Sequence, residues 1–357
     1  MTADFDASEA LTGAVAEAAE TGTALHIRGS GSKDFLGRQG SGTLLDVSLH
    51  RGVLSYEPSE LVLTARAGTP LADIETLLAG HGQMLAFEPP AFGPGASLAG
   101  TIASGLSGPR RPYAGSARDF VLGVRVLNGR GQVCRFGGEV MKNVAGYDLS
   151  RLMAGAMGTL GVLLDISLKV LPSPVRNVTQ VYELNEVEAV RRLSELGLAP
   201  LPLSAGAWLD GCLYVRFSGS DSGVGAAVSG AGGETLEAAA AARFWADLRE
   251  HRLDFFAGAG PLWRISVPPA SPPLGLSGPM LLDWGGAQRW VRTGEPAETV
   301  RQAAAAAGGH GTLFRGGDRS GAVFHPLPPA LRALHRRVKA SLDPAGIFNP
   351  GRLYEGL

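Results

Sequence analysis

The stretch TALHIRGSGSK, residues 23–33, decides how this chain is read, because a strand-like run (Thr23–Arg28) feeds directly into a loop of small residues closed by Lys33. Two familiar phosphate signatures fail there. Gly29 and Gly31 begin a GxG, but Asp34 stands where the dinucleotide fingerprint needs its third glycine. Ser32, not glycine, precedes Lys33, which excludes a Walker A loop. What remains is a strand followed by Arg28, Gly29, Ser30, Gly31, Ser32 and Lys33, whose successive backbone amides can form a nest for an anionic diphosphate. Taken alone, the same residues also describe an ordinary Gly-Ser connection.

Further clusters extend the pattern. Pro94, Gly95, Ala96, Ser97 and Gly100 form a second small-residue turn that leads into a helix, whose start offers amide donors and a positive dipole end. A third cluster, Tyr113 to Asp119, contains Gly115 and Ser116 and precedes a hairpin. A fourth, Gly158-Thr159-Leu160-Gly161-Val162, opens an alternating strand. Four glycine loops at strand edges suit a long cofactor better than a single phosphate.

The flanking pattern predicts a helix over 6–21, with Asp6 and Glu9 at capping-box spacing and Leu11, Val15 and Ala18 on one face. Further expected elements are a helix after Thr69-Pro70, strands at 61–66 and 83–87, and a hairpin of 120–127 with 133–136 across Asn128-Gly129. Residues 160–170 alternate until Pro172 and Pro174 break the pattern, which sets the expected domain boundary. Beyond it, strand and helix patterns predict an α+β unit with an antiparallel sheet and helices on one face. A basic helix from Pro328 and the turn-rich LDPAGIFNPGRLY complete the pattern as a segment docking back onto the first domain.

Composition narrows the function classes. The 357 residues exceed what one core usually fills, so two domains are expected. Thirty-two basic and thirty-three acidic residues give a net charge of −1, which offers no field for nucleic acid or an anionic membrane. Cys134 and Cys212 make no disulfide framework, zinc site or iron-sulfur ligand set, so no metal is expected and a reducing cytoplasm is. The acidic MTADFDASEA start has no apolar region of the secretory kind, and no run approaches the ~18 apolar residues of a spanning helix. The 51 glycines are about twice the usual ~7% share.

RGSGSK (28–33), PGASLAGTIASGLSGPRRPYAGSARDFVLG (94–123), MKNVAGYDLSRLMAGAMGTLGVL (141–163) and DPAGIFNPGRLY (343–354) together resemble the FAD-linked oxidases of the vanillyl-alcohol-oxidase superfamily, and within it the FAD-binding subunits of glycolate oxidase. The resemblance covers roughly 23–172 and 341–354. It implies an α+β fold: a two-subdomain PCMH-type FAD-binding domain over 1–173, a mainly antiparallel cap over 174–327, and a segment at 328–357 returning to the first domain. It also implies that Arg28 to Lys33 hold the FAD pyrophosphate and that Pro94, Gly95, Ala96, Ser97 and Gly100 complete the grip. Gly115, Ser116 and Asp119 would then lie near the flavin or ribityl chain, with Gly158, Thr159, Gly161 and Val162 on the adenine side.

Asn349 of FNPG would approach the flavin; the same dipeptide is a common turn start. Lys142 and Asn143 would lie beside the ring, where a cation stabilises the reduced flavin; the plainer reading is a solvated lysine and a Tyr147–Asp148 hydrogen bond. Covalent attachment in this superfamily uses a histidine or cysteine in the first or second loop. Neither loop contains one, so the resemblance implies non-covalent FAD.

Lys142, Tyr147 and Arg315 are the candidates for chemistry. Related catalytic subunits carry a His-x-Gly-Asp-Gly-Asn-x-His segment near the end of the cap, whereas this chain reads GHGTLFRGGD at 309–318, with His325 farther on. The paired histidines are missing. That departure favours a companion subunit working with a second flavoprotein hydroxy-acid dehydrogenase subunit and an iron-sulfur subunit, with any inner-membrane contact made through them. A self-sufficient oxidase of another alcohol or hydroxy acid, and a non-catalytic scaffold, remain the alternatives.

Overall fold

The computed structural model describes residues 4–138 and 148–357. The chain divides into two compact units, one of Met1–Leu106, Ser116–Pro172 and Arg319–Leu357, the other of Ser107–Gly115 and Ser173–Asp318. The return at Arg319 precedes the expected boundary at 327. Its cause is local: Arg319 donates to the carbonyls of Gly37 and Asp34, and Arg38 donates to those of Ser320 and Gly321.

In the first unit α1 (Ser8–Thr21) buries Leu11, Val15 and Ala18 and ends at Gly22 in the left-handed region. The expected capping box does not form; Asp6 instead accepts from the amide and hydroxyl of Ser8. Next, β1 (Leu25–Arg28) pairs in parallel with β2 (Thr43–Asp46). Leu11, Val15, Leu25, Val47, Val162, Ile347 and Phe348 share one core cluster. Burying each such side chain is worth ~1.5–3 kcal/mol, which fixes the floor beneath the glycine loop.

Then come β3 (Val53–Glu57), β4 (Val62–Arg66), α2 (Leu71–Ala79), β5 (Gln83–Met84) and α3 (Leu98–Ser104). The expected strand at 83–87 is thus only two residues long. After α4 (Arg111–Ala114), which belongs to the second unit, α5 (Ala117–Phe120) leads to the hairpin β6 (Val121–Leu127) and β7 (Val133–Gly137). Its loop closes when the Asn128 side chain accepts from the amides of Arg130 and Gln132, a longer connection than a two-residue turn. After α6 (Leu149–Leu152), β8 (Val162–Lys169) enters the middle of an antiparallel sheet ordered β3-β4-β8-β6-β7, and its residues up to Leu168 are buried on both faces; β9 (Leu171–Pro172) pairs with β5.

The second unit continues with β10 (Arg176–Glu183), α7 (Glu186–Leu198), β11 (Leu203–Leu209), β12 (Cys212–Gly219), α8 (Asp221–Ala231), β13 (Glu234–Thr235) and α9 (Ala238–Glu250). It is completed by α10 (Asp254–Ala257), β14 (Leu262–Ser266), β15 (Met280–Asp283), β16 (Gln288–Arg292), α11 (Ala297–Ala306) and β17 (His310–Arg315). Its eight strands run β13-β10-β12-β11-β15-β16-β14-β17, with every pairing antiparallel.

Helices cover both faces of this sheet rather than one. Leu213, Val215 and Phe217 of β12 pack with α7 and α8, while the alternate residues Tyr214 and Arg216 meet Phe244 and Trp245 of α9. The helix α8 carries Gly223, Gly225 and Gly230, which hid it from propensity; burial of Val224, Ala227 and Ala231 overrides that cost. Trp263, Trp284 and Trp290 are buried and half-buried Trp208 donates to Leu184 O, so these tryptophans serve the packing of the unit. Finally α12 (Pro329–Leu342) returns to the first unit.

Candidate functional site

A groove in the first unit opens where β1 ends. It is lined by Arg28 to Lys33, by Ser97, Gly100, Ala103 and Ser104, by Met157, Gly158 and Gly161 to Leu163, and by Asn349 and Arg352. The loop 28–33 turns at Gly31, whose φ of 77° lies in the left-handed region that favours glycine, with the Arg28 guanidinium as its nearest neighbour. As a result the amides of Ser30 and Gly31 donate to no acceptor among the described residues. Amide donors that the protein leaves uncommitted at the rim of a groove are available to an anion.

Charge agrees with the donors. Arg28 pairs with Asp34 at 2.7 Å, but both side chains are nearly half exposed, so the pair is worth at most ~1 kcal/mol. Arg352 is buried and donates to the carbonyls of Arg38 and Asp34, which aims a fixed cation at the loop. His26 also lines the groove; burial first and Arg352 second hold its imidazole below its ordinary pKa.

The second turn behaves differently from the expectation. Leu98 N–H donates to Thr69 O, Ala99 N–H to Ala67 O, Gly100 N–H to Ser97 Oγ and Thr101 N–H to Ser97 O. All four donors at the start of α3 are committed inside the protein. Pro94 and Gly95 are exposed and Ala96 is buried, and none of the three lines the groove. What α3 contributes is a flat wall: Ala99, Gly100, Ala103 and Ser104 recur at helical spacing and let a ligand approach the backbone. That spacing was available in the sequence, masked by the more conspicuous apolar series Leu98, Ile102 and Leu106.

The far wall is braced from the C-terminal segment. Asn349 Oδ1 accepts from Ile27 N–H at 2.7 Å, and its Nδ2 donates to Met157 O at 2.7 Å. Its amide therefore ties two groove walls together, and Gly158 packs so tightly against Nδ2 that an added Cβ would lie 2.7 Å away, at a φ of 72°. Thr159 faces away from the groove, its hydroxyl donating to Ala156 O and its carbonyl accepting from Lys339 Nζ at 2.7 Å. Lys339 also donates to Phe348 O and to Asp343, which is fully buried.

The remaining expected residues are not in the lining of this groove or lie outside the described residues. Gly115 closes the Ser107–Gly115 segment of the second unit. Ser116 and Asp119 form a reciprocal capping box on α5, with the Ser116 amide and hydroxyl both donating to Asp119 Oδ2. Burial acts to raise the Asp119 pKa, but these bonds and the nearby arginines outweigh it and hold the carboxyl below its usual range. Lys142, Asn143 and Tyr147 lie outside the described residues. Arg315 belongs to the second unit, its guanidinium 5.8 Å from the Phe314 ring.

Comparison with known proteins fits this geometry. Residues 5–137, which include the loop and α3, match the family model described as an FAD binding domain. Glycolate oxidase subunit GlcE of Escherichia coli (strain K12) is 48% identical over all 357 residues and the whole of both chains. The chain belongs to the GlcE family of glycolate oxidase subunits. Outside that family, glycolate oxidase subunit GlcD of Bacillus subtilis is 29% identical over 137 residues, 38% of this chain and 29% of GlcD. Among solved structures, alkyldihydroxyacetonephosphate synthase superposes with a TM-score of 0.68 at 14% identity, covering 96% of this chain and 74% of that one, which shows the fold. The α+β class follows from the family match and that superposition. No helix among the described residues is long and apolar enough to cross a membrane.

Proposed function

We propose that this chain is the FAD-binding subunit of a glycolate oxidase, an oxidoreductase acting on the CH–OH group of a 2-hydroxy acid. The observation that carries the reading is the groove itself: uncommitted amides at Ser30 and Gly31, flanked by Arg28 and Arg352, in a chain of the GlcE family. Bound FAD supplies a two-electron acceptor. The chain's own residues do the holding: Ser30 and Gly31 donate to the diphosphate, the small face of α3 admits it, and Asn349 keeps the two walls at a fixed spacing. Family membership supports partner subunits; we assign them as a second flavoprotein carrying a hydroxy-acid site and an iron-sulfur subunit, with any membrane contact made through that assembly.

The FAD is expected to be held without a covalent link. Purified chain reconstituted with FAD should show the flavin absorbance, and acid should release all of it. Flavin retained on the acid-precipitated chain would overturn that expectation and point to His26, which lines the groove. Failure to take up FAD would sink the wider proposal. Co-expressed with its partner subunits, the chain should be required for glycolate oxidation.

A further inference from the structure

The second unit contains a concentration of positive charge that FAD binding in the groove does not use. Arg264 on β14 stands opposite Trp290 on β16 and Thr312 on β17, while Arg292 and Arg315 both stand opposite Leu262, two residues from Arg264. Residues two apart share a face of a strand, so Arg264 and Arg292 project from the same side. Arg315 is close by: its guanidinium and that of Arg264 lie 5.8 and 5.7 Å from the centre of the Phe314 ring, and His251 feels both charges. Arg111 stacks 4.2 Å over Trp284 and is the charge that acts on Arg264.

These cations are not equivalent. Arg292 is anchored, donating to the carbonyls of Phe255, Phe256 and Gly260. By contrast, the Arg264 side chain makes no hydrogen bond or ion pair with another described residue. Burial, with Arg111 adding to it, pulls its guanidinium down to about 10, which leaves it cationic at neutral pH. His251 packs on the same aromatic floor, stacked on Phe256 at 3.8 Å and edge-on to Trp290, and burial with Arg315, Arg264 and Arg292 keeps it neutral. No carboxylate offsets the field at Arg264 among the described residues.

Arg264 is half-buried, and a partly desolvated cation without a partner is unfavourable, whereas an apolar side chain of similar volume would pack against Phe314 at less cost. We infer that Arg264, with Arg111 adding to the positive field and Arg315 beside the same Phe314 ring, binds the carboxylate of a small 2-hydroxy acid on this aromatic floor. The guanidinium fork matches a carboxylate with two parallel hydrogen bonds, and the surrounding rings exclude water that would weaken them. This inference rests on the glycolate oxidase reading and places a carboxylate-recognising site within this subunit.

The test uses the full FAD-loaded chain and oxalate, an unreactive dicarboxylate, titrated by calorimetry. The native chain should bind oxalate saturably, Arg264→Lys should weaken it by about tenfold, and Arg264→Met should abolish it, each with the flavin content of the native chain. Arg264→Met should also leave Tm unchanged or raise it, because an uncompensated charge has been removed. A structural arginine would do the opposite. Exposed Arg176, paired with Asp221, serves as control, and Arg176→Met should bind oxalate normally. The inference is overturned if the native chain fails to bind oxalate, if Arg264→Met binds it as the native chain does, or if Arg264→Met lowers Tm. Flavin absorbance is recorded separately, so failure to bind FAD at all counts against the glycolate oxidase reading and not against Arg264.

Discussion

The loop at 28–33 and the turn at 94–100 are similar in composition, each rich in glycine and serine. In the first, the amides of Ser30 and Gly31 have no acceptor among the described residues; in the second, Leu98, Ala99, Gly100 and Thr101 donate to Thr69, Ala67 and Ser97. Both are glycine turns beside one groove, yet only the first keeps donors in reserve. An anion site is therefore defined by which amides remain uncommitted, and a glycine-rich sequence before a helix does not by itself say so.

The largest test of this contrast is Gly31→Val. A β-branched side chain at a φ of 77° against the Arg28 guanidinium must rearrange the loop and misdirect both free amides. Charge-assisted hydrogen bonds are worth ~1.5–3 kcal/mol each, so loss of both should raise the Kd for FAD by at least roughly 100-fold, read by flavin fluorescence titration. A smaller effect is expected from Ser97→Ala, which removes the cap of α3 and should cost ~1 kcal/mol of stability in urea unfolding while changing the FAD Kd only about two- to threefold. If Ser97→Ala matched Gly31→Val in flavin loss, the distinction between the two turns would fail.

The smallest effect is a pH dependence at His26. Burial and Arg352 lower its folded pKa below the unfolded value of ~6.5, so below that pH the unfolded chain binds more protons. Stability should fall as pH drops from about 6.5 and stay level above it. Tm measured across that range should show the slope in the native chain, and His26→Gln should flatten it. An unchanged slope would place the titrating group elsewhere.

Much of the first unit was legible because its signals are local. The run from Thr23 to Lys33 contains both strand and loop, and Leu11, Val15 and Ala18 display the buried face of α1 directly. Local spacing also exposed the Asn128 turn. What was hidden depended on residues distant in sequence. That the α3 amides are committed follows from carbonyls at Ala67 and Thr69, which no motif at 94–100 contains. Asp119, grouped with the flavin by resemblance, turned out to cap its own short helix, a role that its spacing from Ser116 already permitted. In the second unit the two-sided helical cover was missed because glycines masked α8 and because alternation along β12 does not say which helix faces which side. Arg264 was invisible for a simpler reason: one arginine in a strand carries no sequence signal until its neighbours are known.

The bracing of the groove by Lys339 and Asn349 also sets a timetable. Asn349 grips Ile27 across 322 residues, and Lys339 reaches Thr159 across 180. On the ribosome the 28–33 loop emerges early, but the opposite wall of the groove is pinned only after the segment containing Lys339 and Asn349 has left the exit tunnel. A nascent chain stalled before those residues would present the 28–33 loop without the brace that Asn349 and Lys339 supply.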